Sequence, residues 1–396
     1  MTATASAPAG VPAIAANPEQ VRILKTYEGG LIGMGTRLAS PEAEELAAMS
    51  TPGTALVSTA IAQRPELAAG FTWAHRLVVV VSDGSAVLGL GDLGPRASLP
   101  VLEAKCAFLK RIAGIDAIPL VFAQRDTDSI VHALTALEPS FGAVSLEDVC
   151  APRCFELEQR LQAALGCPVL HNDQHGTAVA VTAAVRNAAT VLGRSFKAQR
   201  VVIVGAGAAG LATARLLYSS GVSDLVLVDR SGVIFRGRPG LAGAKRDISL
   251  LTNPRGVRGA LADALDGADV LIGLSAGRIG DAPLARMNPA PVILALANPE
   301  PEVSAEQAKA VGALYGTGNA GAPNCVSNLM VVPGVFRGAF AAGSRVISRS
   351  MIAAAVEGLV RASEQGLSPL RLLPEVLDPA VCAYVSEAVE KAAPRS

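Results

Sequence analysis

Residues 200–229 read "RVVIVGAGAAGLATARLLYSSGVSDLVLVD". A β-branched run leads directly into glycines at 205, 207 and 210. A stretch of small and apolar helix formers follows, and a second β-rich run ends on Asp229. Strand, Gly-rich turn, helix and strand in this order predict a dinucleotide-binding βαβ unit. Gly205 permits the tight turn, Gly207 lets the backbone approach a pyrophosphate, and Gly210 lets helix and strand pack closely. Ala208 and Ala209 open the helix, whose first N–H groups have no intrahelical partner and suit an anion. Asp229 is expected to accept hydrogen bonds from a ribose diol, and Arg230 beside it is a candidate for a 2′-phosphate. NAD is therefore the expected cofactor, with NADP possible.

Outward from this unit the same rhythm continues in both directions. Upstream, "RLVVVVSDG" (76–84), "AIPLVFA" (117–123), "FGAVSLEDV" (141–149) and "CPVLHND" (167–173) read as strands. "SLPVLEAKCAFLKRIAG", "TDSIVHALTALEP" and "FELEQRLQAALG" read as the helices between them. A long helix over 176–193 leads into the nucleotide unit, and "ADVLIGLS" and "PVILALANP" supply later strands. The fold class expected is α/β in two domains. A flexible arm is expected over 1–20.

Composition narrows the function. The 396 residues contain 34 Lys plus Arg and 34 Asp plus Glu, and aromatics make up 4%. Neither a basic stripe nor stacking platforms are present, which argues against nucleic acid. Mean hydropathy is +0.40, yet apolar runs such as "LVVVV" are too short to span a membrane. The first twenty residues lack the charged and apolar regions of a secretory signal. Six scattered cysteines form no metal-type pairs and are expected as reduced thiols in a cytoplasmic protein.

Three carboxylates stand at predicted strand ends: Glu147, Asp148 and Asp173. In a parallel sheet those ends share one edge, where ligands bind. Gathered there, the carboxylates would repel unless a hard cation such as Mg²⁺ or Mn²⁺ joined them; taken alone, "ED" is a solvated turn. His171 and His175 read as capping or core histidines ahead of ligands. Lys105 lies among apolar residues of a helix. It is either a snorkelling lysine or, near a divalent cation, a candidate base.

Taken together, "YEGGLIGMGT", "VVVSDGSAVLGLGDLGPRASLPVLEAKCAFLKRIAGIDAIPLVF", "ALEPSFGAVSLEDVCAPRCFELE", "HNDQHGTA" and "ILALANPEPE" resemble the shorter, bacterial-type malic enzymes, from about residue 25 to 345. The resemblance implies a metal- and NAD(P)-dependent enzyme that oxidises the C2 hydroxyl of malate, decarboxylates the product and protonates the enol. It also implies a homodimer, and a division into a catalytic α/β domain over 21–165, a Rossmann-type domain over 166–345 and C-terminal helices over 346–396. By it Glu147, Asp148 and Asp173 bind the metal, and Lys105 is the base. Asn298 lies at the substrate and cofactor, and Asn324 and Asn328 lie at the substrate.

Two departures stand out. The family's tyrosine before Ser/Thr-Pro-Gly, which protonates the enol, is Ser50 here. The acid that pairs with the lysine in "HDDQHG" is Asn172. A serine hydroxyl is a far weaker and shorter acid than a phenol. The two changes lead us to expect more room and more polarity near C3, hence a C3-modified malate as substrate. The alternative is a catalytically silent homologue that binds a nucleotide or dicarboxylate as a regulator.

Overall fold

The computed structural model describes residues 18–33, 35 and 49–394. Most of the expected arm, residues 1–17, thus lies outside the described residues, and 18–20 open helix α1 (Pro18–Tyr27). The apolar residues Val21, Ile23 and Leu24 of α1 are exposed. Helix α2 (Thr51–Gln63) follows.

The first domain is built on β1 (Leu77–Ser82), β2 (Asp116–Val121), β3 (Ala143–Leu146) and β4 (Val169–His171). They form a parallel sheet in the order β2-β1-β3-β4. Central β1 is buried along its whole length and carries four consecutive valines, as a strand covered on both faces requires. Helices α3 (Pro95–Phe108), α4 (Thr127–Leu137) and α5 (Arg153–Ala164) connect the strands. Ile130 of α4 and Leu157 of α5 cover one face, packed with Val79 and Val81. The sheet takes its last strand from residues 169–171, beyond the expected boundary at 165.

Helix α6 (Asn172–Val191) starts four residues before the expected 176. The polar stretch "NDQH" is therefore its first turns, and Asp173 sits at the helix N-terminus, where a negative charge is favoured. From Gly176 to Ala189 the helix is buried almost all round.

The second sheet contains β5 (Val201–Val204), β6 (Leu225–Asp229), β7 (Gly232–Val233), β8 (Val270–Gly273), β9 (Val292–Ala295) and β10 (Leu314–Thr317). Its order is β10-β9-β8-β5-β6-β7, parallel except for β7. Helix α7 (Ala208–Ser219) follows β5, and α8 (Gly243–Ser249) follows β7. The expected βαβ unit thus spans β5, α7 and β6. Gly205 adopts φ 110°, and a Cβ on Gly210 would lie 1.8 Å from the Gly205 carbonyl oxygen, so both positions require glycine. Helices α9 (Val332–Ala341), α10 (Arg349–Ser363) and α11 (Pro379–Ala392) close the chain, with α10 packed on α6.

All six cysteines are free. Among the described residues no helix is long and apolar enough to cross a membrane.

Candidate active site

Each sheet reverses its strand order once, the first between β1 and β3 and the second between β5 and β8. Ligands of open α/β sheets bind outside the strand ends at such points. Here both points open into one pocket of about 670 Å³. Ala86 and Leu88 after β1, and Glu147 and Asp148 after β3, line it from the first domain. Gly207 and Ala208 after β5, with Leu274 and Ser275 after β8, line it from the second.

Lys105, Asp173, Asn298 and Asn328 also line this pocket. Lys105 Nζ donates to Asn328 Oδ1 at 3.1 Å and lies 3.5 Å from Glu147 Oε2. The lysine therefore keeps an anionic partner, contrary to the expectation drawn from Asn172, because Glu147 serves in that place. Asn172 is buried behind Glu147 and donates Nδ2 to the same Oε2 at 2.9 Å. It borders a small void beside Lys105 and Ser145 and is not on the main pocket wall.

The three acidic residues come together as expected. Asp148 takes φ 54°, a left-handed conformation that Asp tolerates better than most residues. Its Oδ1 accepts from Leu88 N at 3.1 Å, and its own N–H donates to Asp173 Oδ2 at 2.9 Å. Burial, the Lys105 charge notwithstanding, pushes the Glu147 carboxyl up to about 7, with Asp173 adding repulsion. Burial and then repulsion from Asp173 and Glu147 likewise push Asp148 up to about 7. Among the described residues, no group of three or more His, Cys, Asp and Glu side chains is arranged to hold a metal ion as it stands. Each carboxylate is instead turned toward a protein donor. The donor set nevertheless fits a hard divalent cation, since Asp148 Oδ2 is buried with no partner and one lysine faces three carboxylates.

Behind the acids, Glu158 on α5 grips the start of α6. It accepts from His171 N (2.8 Å), Gln174 Nε2 (2.8 Å) and His175 Nε2 (2.9 Å). Burial alone would raise this carboxyl, but His175 and His171 outweigh it and hold Glu158 below the usual carboxylate range. His171 is fully buried, and burial lowers its pKa against the pull of Asp173 and Glu158. His171 thus sits in the core and His175 is held by Glu158, and neither lines the pocket.

A second rivet escaped the sequence reading. Asp83, fully buried at the end of β1, pairs with Arg153. Ser85 Oγ donates to Asp83 at 2.6 Å and accepts from Cys150 N at 2.9 Å. The loops after β1 and β3, which flank Asp148, are joined there. Nothing in the local pattern flagged these residues, because they meet only through the sheet order.

Besides Asn172, two more expected site residues lie elsewhere. Ser50 is exposed before α2 and does not line the pocket. Asn324 is buried and spent on backbone: Nδ2 donates to Tyr315 O (2.9 Å) and Pro369 O (2.8 Å), and Oδ1 accepts from Leu372 N (2.7 Å). It staples the turn before Asn328 and has no amide proton left for a substrate carboxylate. In contrast, Tyr27 at the end of α1 lines the pocket. The chain after it is anchored by Leu31 N donating to Glu103 Oε2 at 2.7 Å, on the helix that carries Lys105. The only signal in sequence was an aromatic residue before the Gly-Gly turn.

At the nucleotide unit, Gly207 caps α7, and a Cβ there would meet only open space, leaving room for a phosphate. Asp229 ends β6 as expected but is not free for a ribose. Its Oδ1 accepts from Ser231 N and Arg238 Nη1, both at 2.9 Å. Its Oδ2 accepts from Arg238 Nη2 and Lys245 Nζ, both at 2.7 Å. Arg230 is exposed beside it.

Comparison with known proteins finds relatives for both parts of the chain. Residues 35–127 match the malic enzyme N-terminal domain, and residues 174–393 match the malic enzyme NAD binding domain. The chain is 39% identical over 377 residues to the NAD-dependent malic enzyme of Geobacillus stearothermophilus, covering 95% of this chain and 79% of that protein. It is 40% identical over 379 residues to the bifunctional malic/malolactic enzyme of Bacillus subtilis, covering 95% and 92%. The crystal structure of an NAD-dependent malic enzyme from Thermotoga maritima superposes with a TM-score of 0.89 at 39% identity, covering 96% of this chain and all of that one.

Proposed function

The chain belongs to the malic enzyme family, and from that premise we propose that it oxidises malate at C2 and releases CO₂, leaving pyruvate. The observation that carries this reading is the meeting of Lys105, three carboxylates and a phenol with the dinucleotide turn in one pocket. A nicotinamide dinucleotide, when bound, accepts the C2 hydride, and a divalent cation held by Glu147, Asp148 and Asp173 polarises the C2 oxygen.

The remaining work falls to side chains of this chain. Lys105, whose ammonium form a neighbouring divalent cation would disfavour, takes the proton of the 2-hydroxyl as the neutral amine. Asn328 holds Lys105 through its amide oxygen, which leaves the Nδ2 of Asn328 as a neutral donor for a substrate carboxylate. Asn298 supplies a second amide on the opposite wall. Once the carboxylate at C4 has left, the enol needs a proton at C3. Tyr27 presents the phenol in this pocket, so the acid has moved from the position of Ser50 to the end of α1.

Ser50 and Asn172 were the reasons to expect a substituent at C3. Neither stands on the main pocket wall, so unsubstituted malate is the substrate we propose, with C3-substituted malates as its competitors. A homodimer is the proposed assembly, with the exposed apolar residues of α1 against a second copy.

Turnover tests the reading. The full chain is incubated with Mn²⁺ or Mg²⁺, NAD or NADP, and malate or a panel of 3-substituted malates. Reduced nicotinamide and CO₂ in equal amounts are expected with malate. Dinucleotide binding without turnover of any panel member would favour the silent, regulatory homologue instead.

A further inference from the structure

We propose that the adenosine end of the nucleotide site is built to receive a 2′-phosphate, through Lys245 and Arg230, so that the chain prefers NADP(H) to NAD(H). The inference rests on the dinucleotide reading of Gly205–Gly210.

A carboxylate at the end of the second strand of such a unit normally accepts the ribose hydroxyls and repels a 2′-phosphate. Asp229 stands at that place but can do neither. A carboxylate offers about four acceptor positions, and four protein donors fill them: Ser231 N, both terminal nitrogens of Arg238, and Lys245 Nζ. A ribose diol could bind Asp229 only by displacing one of these charge-assisted bonds.

The charge balance points the same way. One carboxylate is in direct contact with two cations, so the cluster is net positive before Arg230 is counted. Arg238 is locked in place, since Nη1 also donates to Gly232 O at 3.0 Å and its side chain is only 12% exposed. Lys245 is different. Its side chain is 39% exposed, and one N–H of three is used on Asp229. Two donors remain for a phosphate. Arg230, next to Asp229 in the chain, is exposed, as are Arg236 and Arg246 nearby in sequence. Asp229 thus acts as a positioning residue: it holds Lys245 at the strand end and is itself neutralised by Arg238.

The test is direct binding, read from the fluorescence of the reduced nicotinamide, with the full chain at low salt. NADPH is expected to bind about tenfold or more tightly than NADH, the scale of one charge-assisted hydrogen bond. The gap should narrow as salt is raised. Lys245→Gln should weaken NADPH by about tenfold without weakening NADH, whose ribose gains access to Asp229, and the retained NADH binding also shows that the variant is folded. Equal affinities, tighter NADH, or a Lys245→Gln variant that weakens both alike would overturn the 2′-phosphate site while leaving the enzyme reading intact. Binding of neither dinucleotide would overturn both.

Discussion

Asn172 donates to Oε2 of Glu147 at 2.9 Å, and Lys105 approaches that same oxygen to 3.5 Å. The amide therefore tunes a carboxylate at the back of the pocket and leaves the substrate space untouched. Asn172→Asp would put two carboxylates in contact in a buried place, where both cannot be ionised together. The exchange also removes a hydrogen-bond donor from Glu147. We expect it to destabilise the metal-free protein by about 1–3 kcal/mol. The melting temperature without and with Mn²⁺ measures this, and a variant as stable as the parent in the absence of metal would refute it.

The acidic cluster sets the pH range for metal binding. Glu147 and Asp148 are each held up to about 7, so below that pH they carry protons that a cation must displace. Affinity for Mn²⁺ should accordingly be full above pH 7 and fall as pH drops through 7, well before the ordinary carboxylate range. Calorimetric titration between pH 8 and 5.5 would show this. A constant affinity down to pH 5.5 would mean that the two groups titrate normally.

Tyr27 and Ser50 separate cleanly by substitution. Tyr27→Phe removes the phenolic proton and should lower kcat about 10²-fold or more, the usual scale for a general acid. Ser50→Ala, off the pocket wall, should leave kcat unchanged. Dinucleotide affinity serves as the control in both. If Ser50→Ala is the damaging change, the acid has not moved to α1.

Glu158 binds three donors at the start of α6 and touches none of the pocket itself. Glu158→Gln keeps the size but removes the charge, and should cost about 2–3 kcal/mol of stability. Because α6 carries Asp173, Mn²⁺ affinity should weaken too. NADPH affinity, set by the glycine turn and the Asp229 cluster of the second domain, should stay constant. Unchanged Mn²⁺ binding in a destabilised variant would mean that Glu158 supports the fold alone.

The strands and the nucleotide turn were legible because they rest on local signals: β-branched runs, glycine spacing, and helix-forming stretches between them. Glu147, Asp148 and Asp173 were legible for the same reason, since the end of a parallel strand is visible in sequence. Residues whose role depends on a partner distant in the chain were not. Glu147 as the partner of Lys105, Asp83 with Arg153, and Asn324 spent on the 369–372 backbone are products of sheet order and packing. Asp229 shows the limit most clearly. Its position in the βαβ unit is readable, but its availability depends on Arg238, from the loop after β7, and on Lys245, from the short helix α8, neither of which carries a periodic signal. The start of α6 lies ahead of the expected residue 176 because its polar first turns resemble a loop, whereas Asp173 suits a helix N-terminus.

Helix α6 has a consequence for how the molecule comes apart. Its alanines and valines belong to a single apolar cluster that also holds Val78 and Val80 of the first sheet and Val201 and Ile203 of the second. Two domains joined by a loop could melt in turn, each keeping its own core. Here neither half can let go of α6 without exposing the other's interior to water. Cutting the gene near residue 172 should therefore yield two fragments that aggregate when made separately and recover a native-like state only when made together.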